Sequence, residues 1–117
     1  LSNFTISTLN FNLITMLRNK LVCLDHPNPD TINVNDQKSF RNLILWLEDQ
    51  KIRHYKIEDR GELRKTINAD WEKSFEKYRN DLNCPKELVS GVDQLKWIIN
   101  QAIKLEYMDN GKLHVIS

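Results

Sequence analysis

A chain of 117 residues with 40% hydrophobic and 28% charged side chains fits one domain able to bury a single core, and excludes a disordered polymer. With 17 basic against 16 acidic residues it lacks the cationic excess of an electrostatically driven nucleic-acid binder, and a specific RNA contact would have to rest on a local patch. No run is apolar enough to cross a membrane, and two cysteines, Cys23 and Cys84, do not make a disulfide framework.

The first fifteen residues, LSNFTISTLNFNLIT, are apolar-rich but lack a basic segment and are broken by Asn, Ser and Thr, so they read poorly as a signal peptide. They are expected to be an atypical leader outside the fold. The alternation of Phe4 with Ile6, and of Leu9, Phe11 and Leu13, allows a short strand there. Leu17, Leu21 and Leu24 recur at i, i+4 and i+7, which predicts a short helix from Met16 to Leu24. His26-Pro27-Asn28-Pro29 stops it, because proline lacks an amide proton and disfavours a helical predecessor.

The next helix is predicted to start at Asn35 or Asp36, both good caps, and to end near Lys51–Arg53. Phe40, Leu43, Ile44 and Leu47 form its apolar stripe, and Leu45 and Trp46 fill the other sides, which marks it as the buried central helix. A connection from His54 to Gly61 follows, with Gly61 available for a positive φ. One helical turn is expected around Leu63 and Ile67. A further helix is predicted from Asp70 to Leu82, with Trp71, Phe75, Tyr78 and Leu82 on one face and Asn83-Cys84-Pro85 at its end. Ser90 and Asp93 have capping-box spacing, so the last helix starts at Gly91 and runs to about Tyr107, with Leu95, Ile98, Ile99, Ala102 and Leu105 inward. Asn110-Gly111 signals a turn, and residues 110–117 are expected to be a truncated tail. The expected class is all-α, four to five helices over residues 16–109.

Candidate chemistry is sparse. His26, His54 and His114 fall in loops or in the tail, with no nucleophile and orienting group placed around them by spacing. Gly-rich phosphate loops are missing. Cys23 and His26 have a CxxH-like spacing without a second pair to complete a zinc site, and buried hydrophobe is the commoner role for Cys. The expectation is no enzyme, metal or cofactor. The adjacent acidic pairs Glu48-Asp49 and Glu58-Asp59 read as solvated surface carboxylates.

Between Lys51 and Lys65 six basic and three acidic residues are interleaved with His54 and Tyr55. Arg and aromatic side chains together can hold phosphate and stack a base. Lys51, Arg53, His54, Tyr55, Lys56 and Arg60 are therefore the candidate RNA or partner surface, against a bland reading as charges that pair with one another. Trp97 stands among Asp93, Asn100, Gln101 and Lys104 on the helical wheel, and is a candidate partner anchor or a residue covered by another segment.

The run from Trp46 to Gly61, WLEDQKIRHYKIEDRG, resembles the signature of the RNA transcription, translation and transport factor family. Asp70-Trp71, Phe75-Glu76-Lys77-Tyr78, Asn83-Cys84-Pro85 and Leu105-Glu106-Tyr107 extend the resemblance across roughly Leu17 to Asp109. Ser74 departs from it, since the family tends to an aromatic residue there, and residues 25–38 and 86–96 match loosely. The resemblance implies a calponin-homology-like N-terminal domain without catalytic positions. It implies a non-enzymatic adaptor of a tRNA-splicing ligase complex, with an RtcB-type RNA ligase, a DEAD-box helicase and a second subunit of similar N-terminal domain as partners. It also implies links to RNA polymerase II transcription and RNA transport, in nucleus and cytoplasm. A direct RNA-binding module is the first alternative, and a cytoskeletal calponin-homology module the second.

Overall fold

The structure, a computed structural model, describes the backbone of residues 2–109 and the side chains of residues 12–108. It is all-α: five α-helices joined by turns, with no strand among the described residues. Helix α1 spans Ser2–Cys23, α2 Gln37–Leu47, α3 Gly61–Arg64, α4 Trp71–Asp81 and α5 Gly91–Asp109. Helix α5 packs against both α1 and α2, and α3 against α4.

The strand allowed over the first residues is not formed, since α1 is continuous from Ser2. Leu13, Leu17, Leu21 and Leu24 supply a helical repeat, and once a turn is nucleated each added residue gains a hydrogen bond. Leu13 packs against the core, while Leu17, Leu21 and Leu24 are within it. Asp25 ends the helix at φ 61, with His26 N–H donating to Leu21 C=O at 3.0 Å and Asp25 N–H to Val22 C=O at 3.0 Å. This is a Schellman closure, which satisfies carbonyls the last turn would leave bare. The same closure ends α4, where Asn83 has φ 65 and Cys84 N–H donates to Arg79 C=O at 2.9 Å. Asp and Asn tolerate the left-handed region better than most residues.

Asp36 caps α2, its Oδ2 accepting from Ser39 N–H at 3.0 Å. Ser90 caps α5, its Oγ accepting from Asp93 N–H at 3.1 Å. Leu43, Ile44, Leu47, Trp71, Phe75, Tyr78, Leu95, Ile98, Ile99 and Ala102 form one core with the α1 leucines. Each buried Leu, Ile or Phe side chain of this core contributes about 1.5–3 kcal/mol by leaving water. Phe40 meets Phe75 edge-on at 5.7 Å, and Trp71 stacks on Phe75 at 5.1 Å. The expected positive φ at Gly61 is not used: it sits at φ −56, because it starts α3 instead of closing a turn. Leu63 is buried but Ile67 is 92% exposed, since α3 ends at Arg64 before a second apolar position can turn inward. Asn110-Gly111 and the tail after it lie outside the described residues.

Candidate functional site

The charged run begins on the core side of α2. Arg41, Ile44 and Glu48 share one face at i, i+3 and i+7, so the face that buries Ile44 carries Glu48 in with it. From Glu48 to Ile52 the helix widens into a single π turn, closed by Arg53 N–H donating to Glu48 C=O at 2.8 Å. Arg53 then takes φ 51 and ψ 45, a left-handed conformation that costs a non-glycine residue on the order of 1 kcal/mol. This reverses the chain and brings the next two amides back over the helix end.

Glu48 is the organising group. Its carboxylate is fully buried and accepts from His54 N–H at 3.0 Å, Tyr55 N–H at 2.7 Å and the Tyr78 hydroxyl at 2.8 Å. Arg60 Nε stands 3.3 Å from its Oε2. Arg60 also donates from Nε and Nη2 to Tyr55 C=O, at 3.0 and 2.7 Å, and from Nη1 to Asp49 at 3.2 Å. Arg64 meets the same Asp49 oxygen at 2.8 Å. The run is thus clasped around one buried carboxylate, with its charge paired and its amides used. A buried charge is tolerated only with such complete pairing.

The expected solvated pair Glu48-Asp49 is corrected by this geometry: Glu48 is inside and Asp49 is held by two arginines. The six candidate surface residues part company. Arg60 is buried at 6% exposure, so its guanidinium faces the clasp and not solvent. Lys51 is half-buried and pairs with Glu106 on α5 at 3.3 Å. Tyr55 is half-buried, its hydroxyl hydrogen-bonded to Asp81 and its ring under Lys77 Nζ at 5.1 Å. Burial and then the Asp81 bond push the Tyr55 hydroxyl up to about 12, so it stays neutral at ordinary pH. Burial, and after it the Glu48 charge, likewise raise Tyr78. Lys77 at 2.8 Å and the Tyr55 hydroxyl hold Asp81 below the usual carboxylate range. Arg53, His54 and Lys56 remain exposed. Trp97 is partly buried and packs against the core cluster.

Cys23, read as a small buried hydrophobe, is exposed, because it lies in the last turn of α1 off the face that carries Leu17, Leu21 and Leu24. His26 instead packs its ring on Trp46 at 4.5 Å, and its Nδ1 accepts from Asn28 N–H at 3.0 Å. That burial lowers the His26 pKa. Arg41 is a buried cation that the wheel pattern had not singled out. It lies over the Trp71 ring at 5.1 Å and donates to Thr66 C=O at 2.9 Å and Asn68 C=O at 3.1 Å. Its signal in the sequence was its place on the Ile44 face.

These features define a small all-α domain whose most charged segment holds a self-paired structural clasp of Glu48, Asp49, Arg60 and Arg64 beside exposed Arg53, His54 and Lys56. Residues 17–115 match the family model described as RNA transcription, translation and transport factor protein, and the chain belongs to that family. It is 52% identical over 97 residues to the mouse and human proteins of that name, covering 83% of this chain and 40% of each relative. The zebrafish (Danio rerio) protein of the same name is 50% identical over 95 residues, covering 81% of this chain and 39% of its own length. The chain therefore spans about two-fifths of the relatives it matches. The shared name is that of a factor, not of an enzymatic activity.

Proposed function

We propose that this domain is a non-enzymatic adaptor of a tRNA-splicing ligase complex, joined there by an RtcB-type RNA ligase, a DEAD-box helicase and a second subunit with a similar N-terminal domain. A calponin-homology-like arrangement of its helices belongs to the same reading. So do roles in RNA transport and RNA polymerase II transcription, in nucleus and cytoplasm. The observation that carries it is the clasp. Glu48, Asp49, Arg60 and Arg64, which could have formed a reactive or cationic site, are spent on each other, which leaves a helical body with Arg53, His54 and Lys56 at its surface. A body of this kind acts through its surface. Affinity purification of the full-length protein followed by mass spectrometry tests it. The ligase and helicase subunits are expected together, and recovery of neither overturns the proposal.

Direct RNA binding is the second reading, favoured by the exposed Arg53, His54 and Lys56. It predicts salt-dependent binding of single-stranded RNA that is lost in Arg53→Glu with Lys56→Glu.

A further inference from the structure

The left-handed turn at Arg53 has a second consequence. It sets Arg53 and His54 at the lip of an open groove of about 460 Å³ beside the last turns of α5. Ile52, Leu82, Leu105 and Met108 give the groove its apolar surface. Met108 is 53% exposed, a large hydrophobe left in water at the end of a helix. Arg53, His54 and Lys104 are the ionisable residues of the lining, and none of the lining side chains is a carboxylate. Lys104 makes no ion pair among the described residues, and the Arg53 guanidinium donates only to Gln50 C=O at 3.2 Å. The nearby Asp81 is already held by Lys77 and Tyr55. Trp97 continues the same stripe of α5, at i, i+4, i+7 and i+11 with Gln101, Lys104 and Met108.

We propose that this groove docks a short acidic amphipathic helix of a partner protein. Aliphatic or aromatic anchors at i and i+4 enter between Leu82, Leu105 and Met108, and Asp or Glu on the flank meets Arg53, His54 and Lys104. An apolar groove with a thioether at its mouth suits side-chain anchors. The Arg53 and Lys104 cations on its rim select a partner of opposite charge. No aromatic ring lines the groove to stack a nucleobase apart from the imidazole of His54, so an RNA strand would find charge there without a platform. The proposal rests on the adaptor reading and names one surface through which such an adaptor binds.

The test is a selection of random 16-residue displayed peptides on the 117-residue chain, with the enriched peptides synthesised and titrated. Acidic sequences with two or more apolar anchors at helical spacing are expected. Their affinity should fall about tenfold or more in Lys104→Glu, and by a similar factor in Met108→Ala. Circular dichroism of each variant should match the parent, since both side chains are exposed. Failure to enrich, enrichment of neutral or basic peptides, or equal binding to Lys104→Glu overturns the proposal. So does a groove-dependent affinity for oligouridine, or self-association abolished by Lys104→Glu, which would assign the face to RNA or to a second copy. Loss of peptide binding in the full-length protein would assign it to that protein's own remaining chain. Purification of wild-type and Lys104→Glu full-length proteins separates this idea from the adaptor reading. If both recover the ligase and helicase equally, the groove proposal fails and the adaptor stands. If neither does while peptides still bind as expected, the adaptor fails and the groove stands.

Discussion

Glu48 and Arg53 lie in one charged run and meet opposite fates. Glu48 carries its charge into the core and is met there by two amides, a tyrosine hydroxyl and an arginine. Arg53 bends the chain into a left-handed turn and leaves its guanidinium exposed at the surface. The difference follows from helical phase. Glu48 falls on the face that buries Ile44 and Leu47, and the chain must then supply partners for it. Arg53 comes after the π turn, where the helix has ended and no face remains to bury. Charge density alone therefore does not mark a recognition surface. Within one short run, one part is a structural clasp and the other is free to bind.

The sharpest way to break this comparison is Glu48→Ala. Removing one side of a buried pair leaves Arg60 with only Asp49 and the Tyr55 carbonyl, and leaves two amides and the Tyr78 hydroxyl without their acceptor. A loss of about 3–5 kcal/mol in urea unfolding is expected. A loss under about 0.5 kcal/mol, the level of ordinary surface changes, would show that the carboxylate does not organise the run.

Leu47→Ala tests the apolar neighbour of that carboxylate. Leu47 is fully buried, and a cavity left there should cost about 2–5 kcal/mol in the same measurement. Tyr78→Phe is milder. It removes one of the bonds to Glu48 and keeps the ring that packs the core, so about 1–3 kcal/mol is expected. If Tyr78→Phe proved neutral, the clasp would have to be held by Arg60 and the two amides alone.

Arg53→Gly sharpens the comparison from the other side. Glycine adopts φ 51 without strain but adds freedom to the unfolded chain, and these effects oppose each other. Stability should stay within about 0.5 kcal/mol of the parent. A drop as large as that of Glu48→Ala would mean that the Arg53 side chain belongs to the clasp.

The smallest effect concerns pH. Burial against Trp46 lowers the His26 pKa below its unfolded value, so the unfolded chain binds this proton more readily. The neutral ring's contribution is fully present above an unfolded pKa of about 6.5 and is lost as pH falls from there through the lower folded pKa. Stability should decline slightly as pH falls below about 6.5, and His26→Gln should flatten that slope. An unchanged slope in the variant would assign it to other groups.

Much of the fold was legible in the chain. Period-3.6 stripes marked α2, α4 and α5, and Asp36 and Ser90 marked two of their starts, because these signals depend only on neighbours a turn away. Helix α1 was read as too short, since its first half carries an alternation that fits a strand as well as a helix, and only the rest of the helix decides between them. The site was legible as a place but not as an arrangement. Lys51, Arg53, His54, Tyr55, Lys56 and Arg60 could be named from composition. That Arg60 turns inward, Lys51 reaches Glu106 on α5 and Tyr55 reaches Asp81 on α4 is a matter of long-range contact. A charged side chain is equally content in water or against an opposite charge. Only the tertiary structure, by bringing Tyr78 and Arg60 to a carboxylate already carried inward on the Ile44 face, decides which of the two it gets.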